Sequence, residues 1–129
     1  MFGKKTDIAL LILRLTFGGL MLAAHGWPKF QKLLGTAPVE FSDPLGIGVQ
    51  NSLISAVFAE VVCSIFVVLG WFTRWALIPL IFTMLVAIFL IHWDDPFQKM
   101  EKAIIFCAGY LSIFFAGPGW YSIDEYFKK

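Results

Sequence analysis

The stretch IALLILRLTFGGLMLAA, residues 8–24, decides the fold. It carries one charge, Arg14, and its length falls in the range of about 17–25 residues that crosses hydrocarbon as a helix. Three further apolar segments follow: Ser52 to Phe72, Trp75 to Ile91, and Ala103 to Ala116. Backbone in lipid must satisfy its own hydrogen bonds, so each segment reads as a helix. The expectation is an all-α protein, a four-helix transmembrane bundle forming one domain over residues 1–129. Its helices span about 7–26, 50–72, 74–92 and 100–117. Short loops join them, apart from one longer loop between helices 1 and 2.

Composition points the same way. Hydrophobic residues make up 59% of the chain and charged residues 15%, against roughly 45–50% and about 25% in soluble domains. A chain of 129 residues could not bury that much apolar surface within itself, so lipid must cover it. The lipid bilayer is therefore the first partner. The net charge of +1 gives no pull toward nucleic acid. Lys4 and Lys5 before an apolar run resemble the start of a signal peptide. Arg14 within the run, and the continuation into His25, Gly26 and Trp27, argue for a retained helix.

The five tryptophans mark the membrane boundaries. Trp27, Trp71, Trp75, Trp93 and Trp120 all fall at segment ends, where an amphipathic ring is most at home. Between Pro28 and Gln50, Gly35, Pro38, Pro44, Gly46 and Gly48 predict a loop, with room for a short surface helix around Lys29 to Leu34. Four crossings place both termini on one side. That side would hold Lys4, Lys5, Arg74, Lys128 and Lys129, against Lys29, Lys32, Lys99 and Lys102 on the other. The bias favours cytoplasmic termini.

Two charges lie inside the apolar segments. Arg14 is roughly 10 Å from the start of its helix and Glu60 roughly 15 Å from the same side, at 1.5 Å per residue. Enclosing a charge in hydrocarbon costs about 2.5–3.5 kcal/mol on insertion scales, so an Arg14–Glu60 ion pair is expected. The same depth brings Tyr110, Thr83 and Cys63 close. Such a pair either fixes the packing of the helices or handles a ligand or proton. On the loop side, Arg14, Gly18, Met21 and His25 share one face of the first helix. His92, Asp94, Asp95 and Glu101 gather at the same membrane surface. His25, His92, Asp94 and Glu101 are weak metal candidates, because their spacing matches no ligand pattern. A polar mouth for a small head group, such as that of a quinone, fits better. Cys63 and Cys107 read as small core residues at different depths, not as a disulfide. No nucleotide loop, haem motif or serine-hydrolase turn is present, so no complete catalytic constellation is visible.

The run LLILRLTFGGLMLAAHGWPKF resembles the first helix of the DoxX family. There an arginine in an LxLR-type stretch is followed by a small-residue helix and an HGxxK motif; here these are Arg14, His25, Gly26 and Lys29. Ala59-Glu60, Gly70 with Arg74, Lys102, and the ending GPGWYSID with Gly117, Pro118, Gly119, Ser122 and Asp124 also fit. The segment from Thr36 to Gly48 departs from the pattern. The resemblance implies a multi-pass protein of the bacterial inner membrane. It associates the chain with redox systems, as an oxidoreductase subunit holding a quinone or other lipid-soluble molecule. Arg14, His25, Lys29, Glu60 and Tyr110 are then the candidate binding residues. A membrane or periplasmic protein, or a second copy of the chain, would be the partner. Two other readings stay open: a non-catalytic assembly or anchoring module, and a small solute or metal carrier.

Overall fold

The computed structural model describes residues 3–128. It is all-α, 77% helical, with no strand among the described residues. Helix α1 runs Lys4–Leu34, α2 Val49–Leu69, α3 Thr73–Ile91, α4 Phe97–Ala116, and a short α5 covers Ile123–Lys128. The four long helices pack in a ring: α1 on α2, α2 on α3, α3 on α4, and α4 back on α1. They enclose Met21, Val67, Leu77, Leu80, Met84, Phe106, Tyr110 and Ile113.

The outside of the ring is as apolar as the inside. Trp75 is 75% exposed, Phe115 77% and Ile12 58%. Only 28% of the apolar window of α3 and 22% of that of α1 is buried within the protein. Water does not tolerate so continuous an apolar surface, so lipid must cover it. Among the described residues α1, α2 and α3 are long and apolar enough to cross a membrane. Helix α4 has the length, but Lys99, Glu101 and Lys102 occupy its first turns and leave the stretch from Ala103 to Ala116 apolar.

Helix α1 passes straight through Pro28, where a loop was expected. The reason lies one turn earlier. Met21–Gly26 forms a π-helical turn, with the Trp27 N–H bonded to the Leu22 carbonyl, five residues back. A proline normally breaks a helix through its missing donor and its ring's clash with the carbonyl four residues back. The wider turn moves those carbonyls aside. The remaining loop is ordered by Asp43, whose carboxylate accepts from the backbone of Ile47 (3.0 Å) and Gly48 (3.0 Å) and from the Ser52 hydroxyl (2.8 Å).

At the end of the bundle that holds the termini, the C-terminal segment is knitted into the turn between α2 and α3. Asp124 accepts from the N–H of Phe72 (2.8 Å) and from the N–H and hydroxyl of Thr73 (3.0 and 2.7 Å), so it caps α3. Its own N–H donates to the Gly70 carbonyl at 2.9 Å. Buried Asp7 accepts from the Trp120 N–H at 3.1 Å. The turn needs left-handed backbone at Gly70 (φ 69°) and at Phe72 (φ 47°). A side chain at Gly70 would also collide with the Arg14 guanidinium and with Ser122.

Two outcomes follow. Gly70→Ala should lower the unfolding midpoint in detergent more than Asp124→Ala, which removes a cap worth about 1 kcal/mol. A Gly70→Ala protein as stable as the parent would show that the turn is not built this way. The Asp43 carboxyl is held below its usual range, chiefly by the Ser52 hydroxyl and also by the Gly48, Ile47 and Gly46 amides, against the opposing effect of burial. A depressed carboxyl stabilises the fold above the ordinary aspartate range, and the benefit is lost as pH falls through the lowered value. The Gly48 amide resonance should therefore titrate below that range and move up in Ser52→Ala. A titration at the ordinary value would contradict the clasp.

Candidate functional site

The three long apolar helices each contain one π-helical turn: Met21–Gly26 in α1, Phe58–Cys63 in α2 and Ala87–Ile91 in α3. Such turns interrupt regular bonding and often sit at functional sites. Here all three face one cavity of about 400 Å³ at the end of the bundle away from the termini. Helix α1 supplies Met21, His25 and Lys29, α2 supplies Glu60, and α3 supplies Met84 and Ala87, with His92 just beyond its end. Helix α4 supplies Gln98, Lys99, Lys102, Ala103 and Phe106.

The cavity is amphipathic. Its apolar lining is Met21, Met84, Ala87, Ala103 and Phe106, and the ring of Phe106 meets the edge of His25 at 5.7 Å. Its polar lining is dominated by an ion pair: the Lys29 ammonium lies 2.6 and 2.7 Å from the two oxygens of Glu60. The Glu60 side chain is 2% exposed and that of Lys29 29%. Gly26 makes this pair possible, because a Cβ there would strike the Glu60 carbonyl and push α1 off α2. The outer side of Lys29 is covered by the ring of Phe41, 5.8 Å away, from the loop that precedes α2.

The expected Arg14–Glu60 pair does not form. Arg14 is fully buried, but its guanidinium donates to the carbonyls of Val68 (3.1 Å), Val67 (3.5 Å) and Tyr121. The cause is the tilt of helical side chains toward the N-terminus of their own helix. Arg14 therefore leans toward the terminal end of the bundle, where the α2–α3 turn and the C-terminal segment present free carbonyls. Lys29, on the same helix, leans back into the bundle. Glu60 lies on an antiparallel helix and leans the opposite way, so it meets Lys29.

Of the residues expected at a binding site, the structure gathers His25, Lys29 and Glu60 around the cavity and leaves Arg14 and Tyr110 outside its lining. The Tyr110 hydroxyl is directed at the Phe17 carbonyl, 3.4 Å away. His92 lines the cavity and its Nδ1 contacts an Asp95 oxygen at 2.9 Å, whereas Asp94 and Glu101 are absent from the lining. Among the described residues no three His, Cys, Asp or Glu side chains come together as a metal-binding group. Cys63 and Cys107 are buried and unpaired with each other. Sequence reasoning missed Met84, Gln98, Lys99 and Phe106 as cavity residues. The ring order of the helices, which the sequence does not state, is what brings α3 and α4 to His25.

The comparisons with known proteins bear on this arrangement. No curated protein and no solved structure matches the chain. The family model DoxX matches residues 9–93, from the first turns of α1 to just past the end of α3. That span carries His25, Lys29, Glu60, Met84, Ala87 and His92 of the cavity. This chain, an integral membrane protein, belongs to the DoxX family.

Proposed function

We propose that this protein holds a lipid-soluble small molecule by its polar head group in the cavity between its helices, as an accessory subunit of a membrane redox system. The observation that carries the reading is the cavity itself, with donors from α1 and α4, apolar residues beside them and a size within the range of ligand pockets. A quinone fits this class. Its carbonyl oxygens would accept from Lys29 and His25, and its tail would lie along Met21, Met84 and Phe106 toward the bilayer. No side chain on the lining completes a catalytic constellation, so electrons would pass to or from a partner protein. In this reading α4 is the fourth crossing, with Lys99, Glu101 and Lys102 at the surface, and the protein resides in a bacterial inner membrane. Both termini face the cytoplasm. Lys29 is neutralised by Glu60 and weighs little as a loop charge, which widens the excess on the terminal side.

The binding reading is tested on protein purified in mild detergent. Lipid extraction and mass spectrometry should recover a quinone or a related amphiphile, and added decylubiquinone should raise the unfolding midpoint by several degrees through ligand linkage. Ala103→Phe or Ala87→Phe, which fill the apolar part of the cavity, should abolish retention and shift while the helical content stays. Recovery of no amphiphile, together with no shift, would overturn the reading. The topology is tested by fusing a reporter that fluoresces only in the cytoplasm to either terminus. Both fusions should fluoresce; two dark fusions would reverse the orientation, and one dark fusion would remove the fourth crossing.

A further inference from the structure

We infer that the molecule held in the cavity carries an anionic oxygen head group, a carboxylate or phosphate ester, on an apolar tail. The inference rests on the cavity-binding reading, keeps its amphiphile and replaces the neutral quinone head with an acidic one. Three lysines line the cavity, Lys29, Lys99 and Lys102, against the single carboxylate residue Glu60. Lys29 spends its charge on Glu60, with both carboxylate oxygens within 2.7 Å. Lys99 and Lys102 form no ion pair among the described residues. The nearby acids do not compensate them: the Asp95 carboxylate is engaged by His92, and neither Asp94 nor Glu101 contributes to the lining.

The surplus positive charge is therefore local to the cavity. Lys29 on α1 and Lys99 and Lys102 on α4 line the same cavity as His25, so positive charge flanks it from two helices. A neutral head group would leave this repulsion in place. An anion among the ammonium groups relieves it through charge-assisted hydrogen bonds, about twice as strong as neutral ones. The apolar lining of Met21, Met84, Ala87, Ala103 and Phe106 has no donor to offer a second charge. It suits the methylenes next to the head group, whose burial is favourable in proportion to the apolar area covered. A free anion would fill only the mouth. An amphiphile with an acidic head fills both halves.

The experiment uses the full chain in dodecyl maltoside, with unfolding midpoints and native mass spectrometry read against four probes. These are oleate, lysophosphatidate, oleyl alcohol and inorganic phosphate. Oleate and lysophosphatidate should bind at least tenfold more tightly than oleyl alcohol or inorganic phosphate, and less tightly as salt rises. Lys99→Gln combined with Lys102→Gln should erase the tenfold preference. Both residues are exposed at the start of α4, so the fold should survive, and circular dichroism checks that. Equal binding of oleyl alcohol and oleate would overturn the anionic head group and leave the cavity reading standing. Inorganic phosphate binding as tightly as oleate would overturn the tail. Binding of none of the probes, decylubiquinone included, would remove both the inference and the reading beneath it.

Discussion

A charge enclosed by apolar helices must find a counter-charge or a set of bare carbonyls, and the direction of its helix decides which lies within reach. In this protein that constraint separates the two ends of the bundle. Arg14 leans toward the terminal end and is absorbed by the carbonyls of Val67, Val68 and Tyr121. Lys29 and Glu60 lean toward each other near the opposite end and close on a contact of 2.6 Å. Removing Lys29 strands the buried Glu60 carboxylate at a cost of about 3–5 kcal/mol, a large part of what holds a protein of this size together, whereas Lys29, 29% exposed, loses less when Glu60 is removed.

The two ends therefore do different things. The terminal end is a fastener: Asp124 caps α3, Asp7 takes the Trp120 amide, and Gly70 leaves room for the Arg14 guanidinium. Its polar groups are engaged largely by backbone, which suits rigidity. At the other end α1, α2 and α3 each carry a π-helical turn and, with α4, leave a cavity of about 400 Å³. There Lys29 pairs with Glu60 and His92 with Asp95, while Lys99 and Lys102 face the cavity without an ion pair among the described residues. A bundle fastened at one end and open at the other is the arrangement that the proposed ligand binding requires.

The membrane assignment was legible in the sequence because it depends on summed hydropathy and on segment length, which need no tertiary detail. The run from Ile8 to Ala24 and the placement of the tryptophans were enough. The pairing of Glu60 was not legible from depth alone. Counting residues put Arg14 and Glu60 at similar levels, and the error came from ignoring the lean of each side chain along its helix. Had that lean been applied to Lys29, the right partner would have emerged. Pro28 misled in another way: its local preference predicts a break, and the π-helical turn at Met21–Gly26 overrides it. The contribution of α4 to the cavity, through Lys99, Lys102 and Phe106, depends on which helices are neighbours in the ring, and no local pattern encodes that.

The central claim is that Lys29 and Glu60 form the pair on which the open end of the bundle is built. Exchanging the two charges tests it most directly. Unfolding midpoints are measured in detergent for Lys29→Glu, for Glu60→Lys and for the double exchange. Each single variant places like charges together at this part-buried pair and should lose stability, Lys29→Glu by about 3 kcal/mol or more because Glu60 is buried. The double variant restores opposite charges and should recover at least half of the loss. Single variants as stable as the parent, or a double variant no better than the sum of the two, would contradict the account.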